Sequence, residues 1–248
     1  MSFLIGLTLG AAAVALLALR GGSPAVLLDP KAAAFVLAGM LAALFVTFPF
    51  SALRAQLRTI FRLLRPAGKP RELIETIGGL AQTARRGGVL ALEGSEKKIG
   101  DPMLKKGLLL IASSVDQSAL RSILEKESEL IARREKASQE FFERLAALTV
   151  GIGVAGSLLE AALLLTRYTG PQKLAGAAAQ ALLPAVYAAL VAYLVLLPLA
   201  ARVRLGAARQ QELRELSIEG VLAIQAGEPS QVVEERLGAF LTGEKHAG

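Results

Sequence analysis

Four stretches of the chain run apolar with almost no charge, and they come in pairs. The first is Phe3–Leu19, uncharged until Arg20. The second is Ala32–Leu53, with Pro49 near its end. The third is Ala146–Thr166, with Glu160 as its one charge, and the fourth is Leu174–Ala201, which has none. Each approaches the roughly 20 residues a helix needs to cross a bilayer core. A cleaved signal peptide competes for the first stretch, but no basic region precedes its apolar run. Two short turn-rich links, RGGSPAVLLDPK and RYTGPQK, close each pair. A long polar stretch, Arg54 to Leu145, separates the pairs, and a polar tail follows from Arg202. The pattern predicts an all-α integral membrane protein with four transmembrane helices. Its parts are a hairpin over 1–53, a large helical insert over 54–145, a second hairpin over 146–201 and C-terminal helices over 202–248.

The polar parts also carry helical periods. Leu73, Ile77, Leu80 and Ala84 recur at helix spacing. Asp101–Pro102 is a helix-start signal. From Asp116 into the third apolar stretch there is no Gly or Pro until Gly151, which predicts one long helix entering the bilayer. Leu120, Ile123/Leu124, Leu130/Ile131 and Phe141/Phe142 give it an apolar face. The tail reads as two short helices broken at AGEPS, where Glu228 precedes Pro229. Val232, Val233, Leu237, Phe240 and Leu241 make the second one amphipathic and predict packing against the insert.

Charge orients this plan. Of the 28 Lys and Arg, all but Arg20, Lys31, Arg167 and Lys173 lie in the insert or the tail. Arg54, Arg58, Arg62 and Arg65 follow the second stretch, and Arg202, Arg204 and Arg209 follow the fourth. The positive-inside rule then places both termini, the insert and the tail in the cytoplasm, with the two links outside. The formal charge of +7 needs no nucleic acid to explain it, and no nucleic-acid motif is present. There is no Cys, and the one His is His246 in the tail, so thiolate catalysis and a His- or Cys-based metal site are excluded as readings. No nucleophile–base pair or phosphate loop stands out, so the chain does not read as an enzyme and calls for no cofactor.

Two segments carry a resemblance. ARRGGVLALEGSEKKIGDPMLKKGLLLI in the insert and IEGVLAIQAGEPSQVVEERLGAFL in the tail are similar to signatures of the MotA family of flagellar stator subunits. The LPLA that closes the fourth stretch and the four-span plan agree, and the likeness covers nearly the whole chain. ExbB and TolQ are more distant relatives with three spans. The resemblance implies an A-type subunit of an ion-driven rotary motor in the bacterial inner membrane. It implies a homopentamer around a dimer of a single-span MotB-like partner, whose Asp carries the ion. It also implies a rotor or effector protein at the insert, where Arg85, Arg86 and Glu93 fall on the rotor-facing charges. Solvated surface charge is the plainer reading of these three. The same motor in a non-flagellar envelope process, or a membrane scaffold without transport, are the alternatives.

The chain departs from that family in the membrane. Val150 stands where the third span usually has Pro. Gly153 and Gly156 are kept, Ser157 takes a Thr or Ala position, and Glu160 takes a Gly position. In the fourth span the two Thr of the family motif are Pro184 and Ala185, whereas Tyr187 and Pro198 remain. In the sodium-driven members hydroxyls line the ion path, and sodium needs several oxygens to replace its water. The loss of both Thr therefore favours H+ over Na+ as the permeating ion, or a different path for it.

Gly153, Gly156, Ser157 and Glu160 share one helical face, and small residues on such a face mark close helix contact. Glu160 lies about 21 Å beyond Ala146 at roughly 1.5 Å per residue, past the midplane toward the outer side. A charged carboxylate at bilayer depth costs on the order of 3 kcal/mol. Three readings stay open for it: a proton relay beside the partner's Asp, a structural hydrogen-bonder to Gln180 or Tyr187, or a hydrated group near the outer surface. In the fourth span, Gln180, Pro184 and Tyr187 share a face, and Pro184 frees the carbonyl of Gln180.

Overall fold

The computed structural model describes residues 5–6, 8–10, 12–13, 15–16, 28–64, 68–92, 94–95, 99–166 and 171–244. Every regular element among them is helical. The helices are α1 (Pro30–Thr47), α2 (Phe50–Leu64), α3 (Pro70–Gly87), α4 (Pro102–Ala112), α5 (Gln117–Thr166), α6 (Pro171–Ala181), α7 (Leu183–Val191), α8 (Leu197–Gln225) and α9 (Ser230–Glu244). A short 3₁₀ turn covers Val89–Leu92, and a π turn, Ala192–Leu196, joins α7 to α8.

Three helical stretches among the described residues are long and apolar enough to cross a membrane: Pro30–Thr47, Gln117–Thr166 and Ala175–Gln225. About half of the expected first span falls outside the described residues, and those that are described are helical. The other three expected spans are found with changed limits. The second ends at Thr47 rather than Leu53, because Phe48 leaves the helical region and Pro49 has no N–H to continue the ladder. Phe50–Leu53 therefore open a new helix. The fourth is broken at Leu182, where α6 stops and α7 begins. The tail's first helix is not separate: it is the end of α8, which runs on from the fourth apolar stretch.

The chain forms two compact units, one of Met1–Phe61 with Ala137–Val203, the other of Arg62–Lys136 with Arg204–Gly248. In the first, α1 starts behind Asp29, whose carboxylate caps the N–H groups of Lys31 (2.8 Å) and Ala32 (3.3 Å). Phe48 packs on Phe141 and Phe141 on Phe142, with ring centroids 4.7 and 5.3 Å apart. Helices α6 and α7, the start of α8 as far as Val203 and α5 from Ala137 onward complete the unit.

The second unit has a conventional apolar core. Ile77 and Ala84 of α3, Leu104 and Leu108 of α4, Leu120 and Leu124 of α5, Leu216 and Val221 of α8, and Val233 and Leu237 of α9 are all buried. Helix α4 begins as Asp101–Pro102 predicts: the carboxylate accepts from Leu104 N–H at 2.8 Å. The same oxygen accepts from the Ser217 hydroxyl at 2.9 Å, which ties that cap to α8. Asp116 caps α5, accepting from the N–H of Ser118 (3.0 Å). Hydrogen bonds from the Ser118 hydroxyl and N–H hold the Asp116 carboxyl below the usual carboxylate range.

Candidate functional site

The residues singled out in the third and fourth apolar stretches meet where α5 crosses the start of α7. Gly153 sits against α7 so closely that a Cβ there would lie 2.7 Å from the carbonyl oxygen of Pro184 and 3.2 Å from the Cα of Ala185. One turn on, Gly156 lies under the ring of Phe35 from α1, where a Cβ would reach 2.9 Å from Cδ1. The small-residue face of α5 is thus filled by this chain's own α7 and α1. Ser157 follows on the same side. Its Oγ accepts a hydrogen bond from the N–H of Ala185 at 3.0 Å.

The break in the fourth stretch explains that bond. Pro184 cannot donate to Gln180, and α7 starts afresh at Leu183. The first N–H groups of a helix have no partner within it, and Ala185 supplies one of them. Ser157 satisfies it from the neighbouring helix, so this hydroxyl holds α7 to α5. The backbone N–H of Ala185 is the donor in that contact.

Tyr187 also reaches across helices: its hydroxyl oxygen accepts from the N–H of Asp29 at 3.0 Å, at the start of α1. Glu160 lies one turn beyond Ser157 and is half-buried. Among the described residues its carboxyl makes no hydrogen bond or ion pair, and Asp29 is near enough to act on it electrostatically. Neither Gln180 nor Tyr187 bonds to it. Pro198 lies in the first turn of α8, where it cannot donate to Leu194; the turn before it widens to π, with Leu197 N–H donating to Ala192 O.

Arg85 and Arg86 lie exposed in the last turn of α3, before Gly88 turns the chain at φ 73°. Neither bonds to a described residue, and cations suit a helix C-terminus. Glu93 lies outside the described residues. No group of three or more acidic or His side chains among the described residues is placed to hold a metal.

The sequence reading missed an ionic centre in the second unit. Glu135, 1% exposed, accepts from Arg214 Nη1 at 3.0 Å and Nη2 at 2.8 Å, and from Arg62 Nη2 at 3.0 Å. Arg214, 7% exposed, also donates to Gln211 Oε1 at 2.8 Å. The bidentate pairing joins α5 to α8 with planar complementarity. A signal for it was present. Ser128, Ile131, Glu135, Ser138, Phe142, Leu145 and Thr149 alternate by three and four residues along α5, a seam that puts Glu135 inside.

The chain is similar in sequence and fold to several known proteins. Residues 95–216 match the MotA/TolQ/ExbB proton channel family. The chain is 29% identical over 242 residues to Motility protein A of Bacillus subtilis, spanning 96% of this chain and 89% of that protein. It is 28% identical to Chemotaxis protein PomA of Vibrio alginolyticus, over 100% and 97% of the two chains. It is 29% identical to the uncharacterized protein YtxD of Bacillus subtilis, over 88% and 80%. A chain of the flagellar MotAB stator complex from Bacillus subtilis superposes with a TM-score of 0.88 at 28% identity, covering 98% of this chain and 97% of that one. The fold also matches C. jejuni MotAB, TM-score 0.88 at 19% identity, over 96% and 94%. The chain is thus similar to the MotA/TolQ/ExbB proton channel family over residues 95–216, and over nearly its whole length to Motility protein A and to a chain of a MotAB stator complex.

Proposed function

We propose that the chain is the A-type subunit of an ion-driven rotary motor in the bacterial inner membrane, as in the flagellar stator. In this reading five copies ring a dimer of a single-span MotB-like partner, both termini face the cytoplasm, and ion flow through the assembly becomes torque. The observation that carries it is the full-length likeness to a chain of a MotAB stator complex. The four-part division of the chain (1–53, 54–145, 146–201, 202–248) belongs to the same reading. Arg85, Arg86 and Glu93 would face the rotor or effector, and complementary charge there steers and registers contact more than it binds.

Protons fit the membrane residues better than sodium. Both family Thr positions carry Pro184 and Ala185, and one of the two lone pairs of the Ser157 hydroxyl is already taken by Ala185 N–H. What remains does not make the multi-oxygen cage that sodium requires. Gly153, Gly156, Ser157, Glu160, Pro184, Ala185, Tyr187 and Pro198 would shape the path and its walls, with Glu160 the one acid among them. A second reading, the same motor driving a non-flagellar envelope process, is favoured by those departures and by Val150 in place of Pro.

Coexpression and copurification with a single-span MotB-like protein from the same genome, followed by a subunit count, tests the assembly. A ring that closes without any partner span counts against the rotary reading. In proteoliposomes, the complex should carry a proton current that Glu160→Gln reduces; full ion-driven flux in that variant rules out a relay role for Glu160. Loss of swimming on deletion separates the flagellar reading from the envelope one.

A further inference from the structure

Helix α2 begins two residues after α1 ends, and its sequence FSALRAQLRTIFRLL contains no acid. At 100° per residue, Phe50 and Phe61 fall within about 20° of each other, with Arg54 and Arg58 beside them at roughly 40° and 80°. The opposite flank belongs to the protein: Ile60 is 6% exposed, and Gln56 hydrogen-bonds Ser138. The outer flank is open. Phe50 is 67% exposed, Phe61 66%, and the Phe50 ring stacks on the exposed Phe45 of α1 at 5.3 Å, so the apolar surface of α1 continues onto α2. Arg54 and Arg58 are exposed and bond to no described residue, whereas Arg62 is engaged by Glu135.

We propose that α2 lies in the membrane–water interface and that Arg54 and Arg58 bind anionic phospholipid headgroups, with Phe50 and Phe61 set into the acyl boundary below them. Water would not favour two exposed rings one above the other, and a hydrocarbon environment would not favour two guanidinium groups. A lipid interface satisfies both, and the all-cationic charge selects anionic lipid. The inference goes beyond the motor reading and rests on α1 crossing the bilayer.

The test uses the full chain in vesicles with spin-labelled phosphatidylglycerol or phosphatidylcholine. The wild type should prefer phosphatidylglycerol. Arg54→Gln/Arg58→Gln should lower that preference by up to about 30-fold, taking roughly 1 kcal/mol per guanidinium at an anionic surface. Arg85→Gln/Arg86→Gln on α3 should keep it. No preference in the wild type, an unchanged preference in the first variant, or an equal loss in the second overturns the proposal. Because the chain has no Cys, a nitroxide on Phe61→Cys reports uniquely. It should collide with oxygen in the lipid more than with a water-soluble nickel chelate. Shielding from both would mean that another copy covers α2, and exposure to the chelate alone would mean water; either overturns it. A nitroxide on Val46→Cys in α1 separates the causes: lipid at Val46 with water at Phe61 removes only the α2 proposal, and water at both removes the membrane span as well.

Discussion

Replacing Arg214 by Met should destabilise the second unit more than any single surface change. Glu135 accepts three charge-assisted hydrogen bonds, two of them from Arg214, in a site with almost no solvent access. Without Arg214 the carboxylate keeps one partner, the half-exposed Arg62. Breaking a buried pair from one side typically costs about 3–5 kcal/mol, since the remaining charge stays buried. For a chain of this size each kcal/mol moves Tm by roughly 2–4 °C, so the expected fall is about 6–20 °C. Glu135→Met should cost a similar amount. The double variant Glu135→Met/Arg214→Met should return to within about 1 kcal/mol of wild type, because two apolar side chains of similar volume need no partners. Arg62→Ala should cost under about 1 kcal/mol, as an exposed group contributes little. The measurement is thermal unfolding of the full chain in detergent, followed by circular dichroism. A Tm within about 3 °C of wild type for Arg214→Met, or a double variant less stable than either single one, refutes the reasoning.

Two further outcomes follow from caps. Ser157→Ala should leave the Ala185 N–H unsatisfied at a cost of about 1–2 kcal/mol, and amide exchange at Ala185 should quicken while Ser157→Thr preserves protection; equal exchange in Ser157→Ala would refute the bond. Asp116 has a lowered folded pKa, so its contribution is full above the unfolded value near roughly pH 3.9 and disappears as pH falls through the folded one. Wild type and Asp116→Asn should therefore differ in Tm at pH 6 and converge in strong acid; a gap that persists at the lowest pH would mean that the carboxylate is not its source.

Much of the fold was legible because its signals are local. Long apolar runs, a Gly/Pro-free stretch from Asp116 to Val150 and the Asp101–Pro102 start each fix an element by themselves. What the sequence hid depends on distance or on competition. Pro49 and Pro184 were visible, but whether a proline bends a helix or ends it depends on what satisfies the freed groups. Beside Pro184 the answer was Ser157, which accepts from Ala185 N–H 28 residues away along the chain. The Glu135–Arg214 pair joins residues 79 apart. Glu135 sat between apolar seam positions, yet without Arg214 in view it read as ordinary charge on a long helix. Around Glu160 the sequence put Gly153, Gly156 and Ser157 on one helical face; it did not reveal that Gly153 and Gly156 close onto α7 and α1 of the same chain.

The π turn at Ala192–Leu196 has a geometric consequence for the fourth stretch. On an uninterrupted α-helix, residues eleven apart return to nearly the same azimuth, within about 20°. Tyr187 and Pro198 would then point the same way. A π turn holds one residue more than the α turn it replaces, and one residue corresponds to about 100° of rotation. The face that carries Tyr187 is therefore out of phase with the face that carries Pro198. A single-residue deletion inside Ala192–Leu196 would restore an unbroken α-helix yet leave the two ten residues apart, still about 80° out of phase, so the π turn could be removed without reorienting either face.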